Sequence, residues 1–90
     1  MEKTFKFYSD PGHSWLAVKR KLLIDLNILD KITRFSYQKG QTVYLEEDCD
    51  VTTFFKAFSD HYGMVPQTTE KKHYNNSCPI RSYQSFNPQN

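Results

Sequence analysis

Val51, Phe54, Phe55, Phe58 and Tyr62 recur at the three-to-four-residue spacing of an α-helix. A stripe of large rings is too apolar to stand alone in water, so this helix must be laid against another layer. Asp50 precedes it as an N-cap, with Val51, Thr52 and Thr53 as the first turn. Gly63 closes it in the left-handed position, with Met64 placed to fold back toward Phe58. Directly in front lies Tyr44-Leu45-Glu46-Glu47-Asp48-Cys49-Asp50, which packs four carboxylates into five residues. Negative charge is favoured at the positive end of a helix, so the cluster has a structural explanation as well as a functional one.

The layer under that helix reads as a small sheet. Thr4 to Tyr8 alternates polar and aromatic residues as a half-buried strand does. Ser9-Asp10-Pro11-Gly12-His13 is a turn, with Gly12 read as accepting a dihedral of the opposite sign. Ser14 to Val18 is the returning strand. Lys19 to Asn27 reads as a first helix, its stripe formed by Val18, Leu22, Leu26 and Leu29. Lys19, Arg20 and Lys21 stand at its start, the less favourable end for positive charge, and Lys21 can pair with Asp25 one turn on.

Arg34 to Gln38 and Gln41 to Leu45 flank Lys39-Gly40, the pattern of a hairpin. A two-residue Lys39-Gly40 loop sets Phe35 opposite Tyr44 and Tyr37 opposite Thr42, with Val43 and Leu45 on the other face. The aromatic face is then expected to be open and available for binding. Val65 to Tyr74 reads as an edge strand or extended loop, and Ile80 to Phe86 as a last strand. Residues 87–90 are expected to fray. The whole, residues 1–90, is one small α+β domain. It has a mostly antiparallel sheet of four to five strands, two packed helices and the order β-β-α-β-β-α-β.

Charge is unevenly spread. Residues 1–45 carry eight basic and four acidic groups, residues 46–50 four acidic and no basic ones, and residues 51–90 four basic and two acidic. A basic body with one acidic knot suits a recognition surface. The absence of a long apolar run and of a signal-peptide pattern leads to the expectation of a cytoplasmic protein with reduced thiols and no membrane partner, although a Cys49–Cys78 disulfide stays open.

Catalytic and metal patterns are weak. The acidic knot lacks the glycine and alternation of a calcium loop. His13, His61, His73, Cys49 and Cys78 show no zinc-ligand spacing. A thiol nucleophile built from Cys49 with His13, or Cys78 with His73, is disfavoured at Cys49 by the surrounding acids, and Cys49 reads as packing beneath the second helix. No enzyme activity, cofactor or metal site is therefore assigned.

Two binding readings follow. The first is a protein contact through Glu46, Glu47, Asp48, Phe35, Tyr37 and Tyr44. The second is a nucleic-acid or nucleotide contact through Lys19, Arg20, Lys21, Arg34 and Lys39, interleaved with aromatic residues. No RNP, KH or helix-turn-helix signature accompanies the second.

Pro11-Gly12-His13-Ser14-Trp15-Leu16, Asp30-Lys31-Ile32-Thr33, Ser36-Tyr37-Gln38-Lys39-Gly40, the acidic stretch 44–50 and Ile80-Arg81-Ser82-Tyr83 together resemble the successive blocks of a group of small uncharacterised proteins. That group occurs in bacteriophages and bacterial mobile elements. The resemblance spans most of residues 5–86 and is most specific at the acidic block. It implies a phage accessory protein in the host cytoplasm that binds a host protein to blunt a defence or regulatory function; whether the chain is a monomer or a small homo-oligomer is left open by the sequence. No activity in the group is available to be carried over by residue.

Overall fold

The second helix forms where its periodicity places it. In the computed structural model, which describes residues 3–89, helix α2 runs Asp50–Tyr62 and stops at Gly63, whose φ is +71°. Phe54 and Phe58 are fully buried and meet the Phe5 ring at centroid distances of 5.1 and 5.7 Å. Rings buried this completely contribute about 2–3 kcal/mol each over leaving them exposed. Met64 is exposed at the end of the helix.

Six strands make one sheet: β1 (Thr4–Ser9), β2 (Ser14–Lys19), β3 (Tyr37–Lys39), β4 (Thr42–Glu46), β5 (Gln67–His73) and β6 (Gln84–Ser85). Their spatial order is β5-β1-β2-β4-β3-β6, antiparallel throughout except for the parallel β1–β5 pair. The class is α+β, as the sequence predicts, with one strand more than the four to five expected. The first helix, α1 (Arg20–Asp25), is shorter than Lys19–Asn27 because Asn27 takes φ +58° and ends it.

Strand alternation divides the sheet into two faces. Phe5, Leu16, Val18, Val43 and Leu45 face α1 and α2 and form the main core with Leu23, Leu26, Phe54 and Phe58. The opposite face carries Tyr8, Trp15, Tyr37 and Tyr44. From the sequence this aromatic face is expected to be open. Instead, part of it is roofed by the C-terminal segment, whose Cys78, Ile80 and Tyr83 build a second core around Trp15. The segment read as a strand from Ile80 is a 3-10 turn, Pro79–Ser82, followed by the two residues of β6. Asn87 and Pro88, in the stretch expected to fray, make contacts with the fold: Arg20 donates to both carbonyls at 3.2 and 2.7 Å, and the Asn87 amide donates to Gln38. Asn90, in the same expectation, lies outside the described residues.

The β3–β4 hairpin forms, with its loop one position later than expected. Lys39 pairs with Thr42, so Gly40-Gln41 makes the turn. Gly40 has φ +60°, and the turns that match strand twist require positive φ at this first central position. Tyr37 is consequently opposite Tyr44, and Phe35 falls outside the strand. Every residue of β5 is exposed, and Lys71, Lys72 and a register shift against Phe7/Tyr8 blunt this free edge.

Candidate binding surfaces

The acidic knot divides in two. Asp50 is only 1% exposed and is the first residue of α2 rather than its cap. Its carboxylate accepts the Thr33 amide at 3.1 Å, the Thr33 hydroxyl at 2.8 Å and the Ser36 hydroxyl at 2.5 Å. Ser36 Oγ in turn accepts the Glu46 amide at 2.9 Å. Asp50 therefore ties the 32–36 loop to the β4–α2 junction. Glu46 is buried, and its Oε2 accepts the amides of Asp48 and Cys49 at 2.9 and 3.0 Å, which closes the turn between β4 and α2. Glu47 and Asp48 remain exposed. Of the three carboxylates expected to meet a partner, Glu47 and Asp48 are exposed and Glu46 is buried at a cleft wall. The cause is the need of buried donors for acceptors: amides of the adjoining turn at Glu46, and the amide and hydroxyls of the 33–36 loop at Asp50.

The cleft, about 300 Å³, is lined by His13, Trp15, Phe35, Tyr37, Glu46, Asp48, Cys49 and Arg81. Phe35 is 62% exposed. Tyr37 is half-buried at the cleft wall, whereas Tyr44 is half-buried in the second core beside Tyr8 and Tyr83 and does not line it. Glu46, Asp48, Phe35 and Tyr37 are thus brought together; Glu47 sits at the rim turn and Tyr44 belongs elsewhere. His13 Nδ1 lies 3.5 Å from Glu46 Oε1. Among the described residues, no Lys or Arg forms an ion pair with Glu46, Glu47 or Asp48.

Arg81 is the cation inside the cleft, and its charge is already matched. It donates to Asp10 from Nε at 2.6 Å and from Nη2 at 2.9 Å, and lies over the Trp15 ring at 5.4 Å. Asp10 also accepts the amides of Gly12, His13 and Cys78. The Arg81 guanidinium, against the opposing effect of burial and together with those amides, holds the Asp10 carboxyl far below the usual carboxylate range. Gly12 is not in the left-handed region expected of it. A Cβ there would stand 2.8 Å from Arg81 Nη2, so close approach is what glycine permits. Trp15 is 2% exposed, and its indole N–H has no acceptor among the described residues.

A ring nitrogen of His13 and carboxylate oxygens of Glu46 and Asp48 lie within 4.8 Å of one another. These are donors a divalent cation accepts, although cis ligands on such an ion stand closer, at roughly 3 Å, given bonds of about 2.1 Å. Cys49 is exposed in the cleft, not packed beneath α2. Partial desolvation, then a hydrogen bond to Glu46 and the charges of Glu46, Asp50 and Asp48, push its thiol up, away from the thiolate a nucleophile needs. Cys78 is buried, pushed up mainly by that burial, and both thiols are free.

The five basic residues of the second reading also separate. Arg20 is withdrawn into hydrogen bonds with Gln38, Asn87 and Pro88 and lies over the Phe86 ring. Lys21 pairs with Asp25 on exposed α1. Arg34 is exposed in the turn beside Phe35. Lys19 and Lys39 lie on the unroofed part of the sheet. Comparison with known protein families, characterised proteins and solved structures finds no match to this chain. No helix among the described residues is long and apolar enough to cross a membrane.

His13, Asp10 and Arg81 escape sequence reading as members of one site. Asp10 and Arg81 are 71 residues apart, and no local pattern joins them. The usable signal was Asp10-Pro11-Gly12-His13, an aspartate able to cap its own turn.

Proposed function

We propose that the protein is a binding module rather than an enzyme, and that its cleft receives a cationic side chain from a protein partner. The observation that carries this reading is an exposed Phe35 in one cleft with Glu46 and Asp48, carboxylates that no Lys or Arg of the described residues neutralises. An arginine suits such a place best. Its plane stacks on rings, and its fork of donors matches a carboxylate. Phe35 and Tyr37 supply the rings; Asp48 and Glu46 Oε1, which His13 Nδ1 approaches to 3.5 Å, supply the acceptors. The resemblance of the sequence blocks to phage-borne proteins would make the partner a protein of the bacterial host.

Pull-down from bacterial lysate with the wild type and with the combined Phe35→Ala, Glu47→Lys, Asp48→Lys variant tests the reading. None of these three side chains is buried, so the variant is expected to fold. A partner retained by the wild type should be lost by the variant, since truncating an aromatic anchor typically costs 2 kcal/mol or more of binding, about thirtyfold, before the charge reversals are counted. Equal recovery by both proteins would remove the cleft as the contact.

A further inference from the structure

A second surface stands apart from the cleft. On the sheet face opposite the helices, the C-terminal roof covers the Trp15 end and leaves the other end open. Strand register puts Thr69, Lys6, Ala17 and Tyr44 side by side across β5, β1, β2 and β4, and Lys19, Thr42 and Lys39 side by side across β2, β4 and β3. Lys72 pairs with Tyr8, the neighbour of Trp15, and so stands on the same face at the border of the roofed end. Lys6, Lys19, Lys39 and Lys72 are all exposed. Along these rows the carboxylate on this face is Glu46, at the far end, where it is buried in its own turn. Glu70 pairs with Phe7 and so faces the other way.

The floor between these lysines is a depression of about 200 Å³ lined by Lys6, Tyr8, Ala17, Lys19, Thr42 and Tyr44. Ala17 and Thr42 keep it low, and the Tyr8 and Tyr44 rings wall one side. The Lys39 ammonium lies 4.7 Å from the Tyr83 ring centroid and that of Lys72 5.3 Å from Tyr74, so two of the four cations are placed against rings. The four lysines stand on β5, β1, β2 and β3, a span of roughly four inter-strand spacings, or about 19 Å.

From this arrangement we infer that the open half of the sheet binds single-stranded nucleic acid, its phosphates running across the lysines and a base entering the depression between Lys6 and Lys19. Charge complementarity is the ground for this occupant: four exposed cations with no competing exposed carboxylate on those rows, interleaved with rings and hydroxyls, suit a polyanion that carries flat bases. A duplex fits less well, because nothing on this face projects into a groove. The surface shares none of the exposed residues of the cleft, so either can fail without the other.

Fluorescence anisotropy of a labelled short oligothymidylate with the full chain, at about 50 and 200 mM salt, tests the inference. Four phosphate contacts on a single strand predict a log–log salt slope near −3 and a loss of roughly 50-fold between those conditions. The combined Lys6→Glu, Lys19→Glu, Lys39→Glu variant should weaken binding at least tenfold. The charge-matched Lys21→Glu, Lys31→Glu, Lys56→Glu variant, outside this face, should stay within about twofold. Should the triple variant misfold, Lys6→Gln with Lys19→Gln replaces it and should flatten the slope by about 1.4. Absence of binding at the lower salt, equal loss in the control variant, or equal affinity for a duplex would each overturn the inference.

Discussion

Asp10→Ala is expected to lower stability by about 3 kcal/mol at neutral pH. Asp10 is almost wholly buried and joins two distant parts of the chain: the β1–β2 turn through the amides of Gly12 and His13, and the C-terminal roof through the Cys78 amide and Arg81. Alanine leaves the Cys78 amide and the guanidinium without an acceptor. A domain of this size holds roughly 5–13 kcal/mol in all, so the loss is a large share, and the melting temperature should fall by roughly 12–24 °C. The Trp15 environment should loosen too, because Arg81 lies over that ring. Asp10→Asn keeps an acceptor for the turn and gives up the charge, so it should fall between alanine and wild type.

The same residue sets an acid dependence. Its folded-state pKa is depressed, so its stabilisation is fully present above the ordinary aspartate value of about 3.9 and is lost as pH falls below it toward the folded value. Denaturation at a series of pH values should show the gap between wild type and Asp10→Asn constant above about pH 5 and narrowing below pH 4. A gap that does not change with pH would show that the charge contributes nothing and that the turn alone matters.

Asp50→Ala is expected to cost a similar amount, about 3 kcal/mol, by leaving three donors without their acceptor: the Thr33 amide, the Thr33 hydroxyl and the Ser36 hydroxyl. Ser36 is completely buried, so its hydroxyl has no water to turn to. Asp50→Asn should cost less, about 1–2 kcal/mol, since one acceptor oxygen survives. Glu47→Ala, one turn of chain away and exposed, should change stability by less than about 0.5 kcal/mol. Chemical denaturation of the three variants separates them. If Asp50→Ala and Glu47→Ala behave alike, the division of the acidic stretch into inward and outward halves is wrong.

That division marks where sequence reading stops. α2 was legible because Phe54 and Phe58 repeat at helical spacing and Gly63 ends them, all within one short window. The hairpin was legible from its β-rich flanks, but whether Gly40 occupies the first or second turn position decides which tyrosine faces which, and composition does not say. The fate of the acids depends on Thr33 and Ser36, 17 and 14 residues upstream of Asp50, whose hydroxyls have no periodic signature. Likewise the aromatic face of the sheet looked open because its roof comes from residues 78–83, of which the part from Ile80 reads as the start of a strand and instead turns over Trp15. Of the residues expected to bind, Phe35, Tyr37, Glu46 and Asp48 do converge, Glu47 stands at the edge of that group, and Tyr44 joins the opposite, basic half of the face.

The cleft contains the chain's single tryptophan, which makes the central proposal directly measurable. Titrating the protein with a short arginine-bearing peptide should change Trp15 emission saturably. The change should vanish in the combined Phe35→Ala, Glu47→Lys, Asp48→Lys variant and should not occur with a peptide carrying glutamate in place of arginine. An unaltered spectrum with the wild type, or the same response to both peptides, would contradict a cleft built to receive a cation.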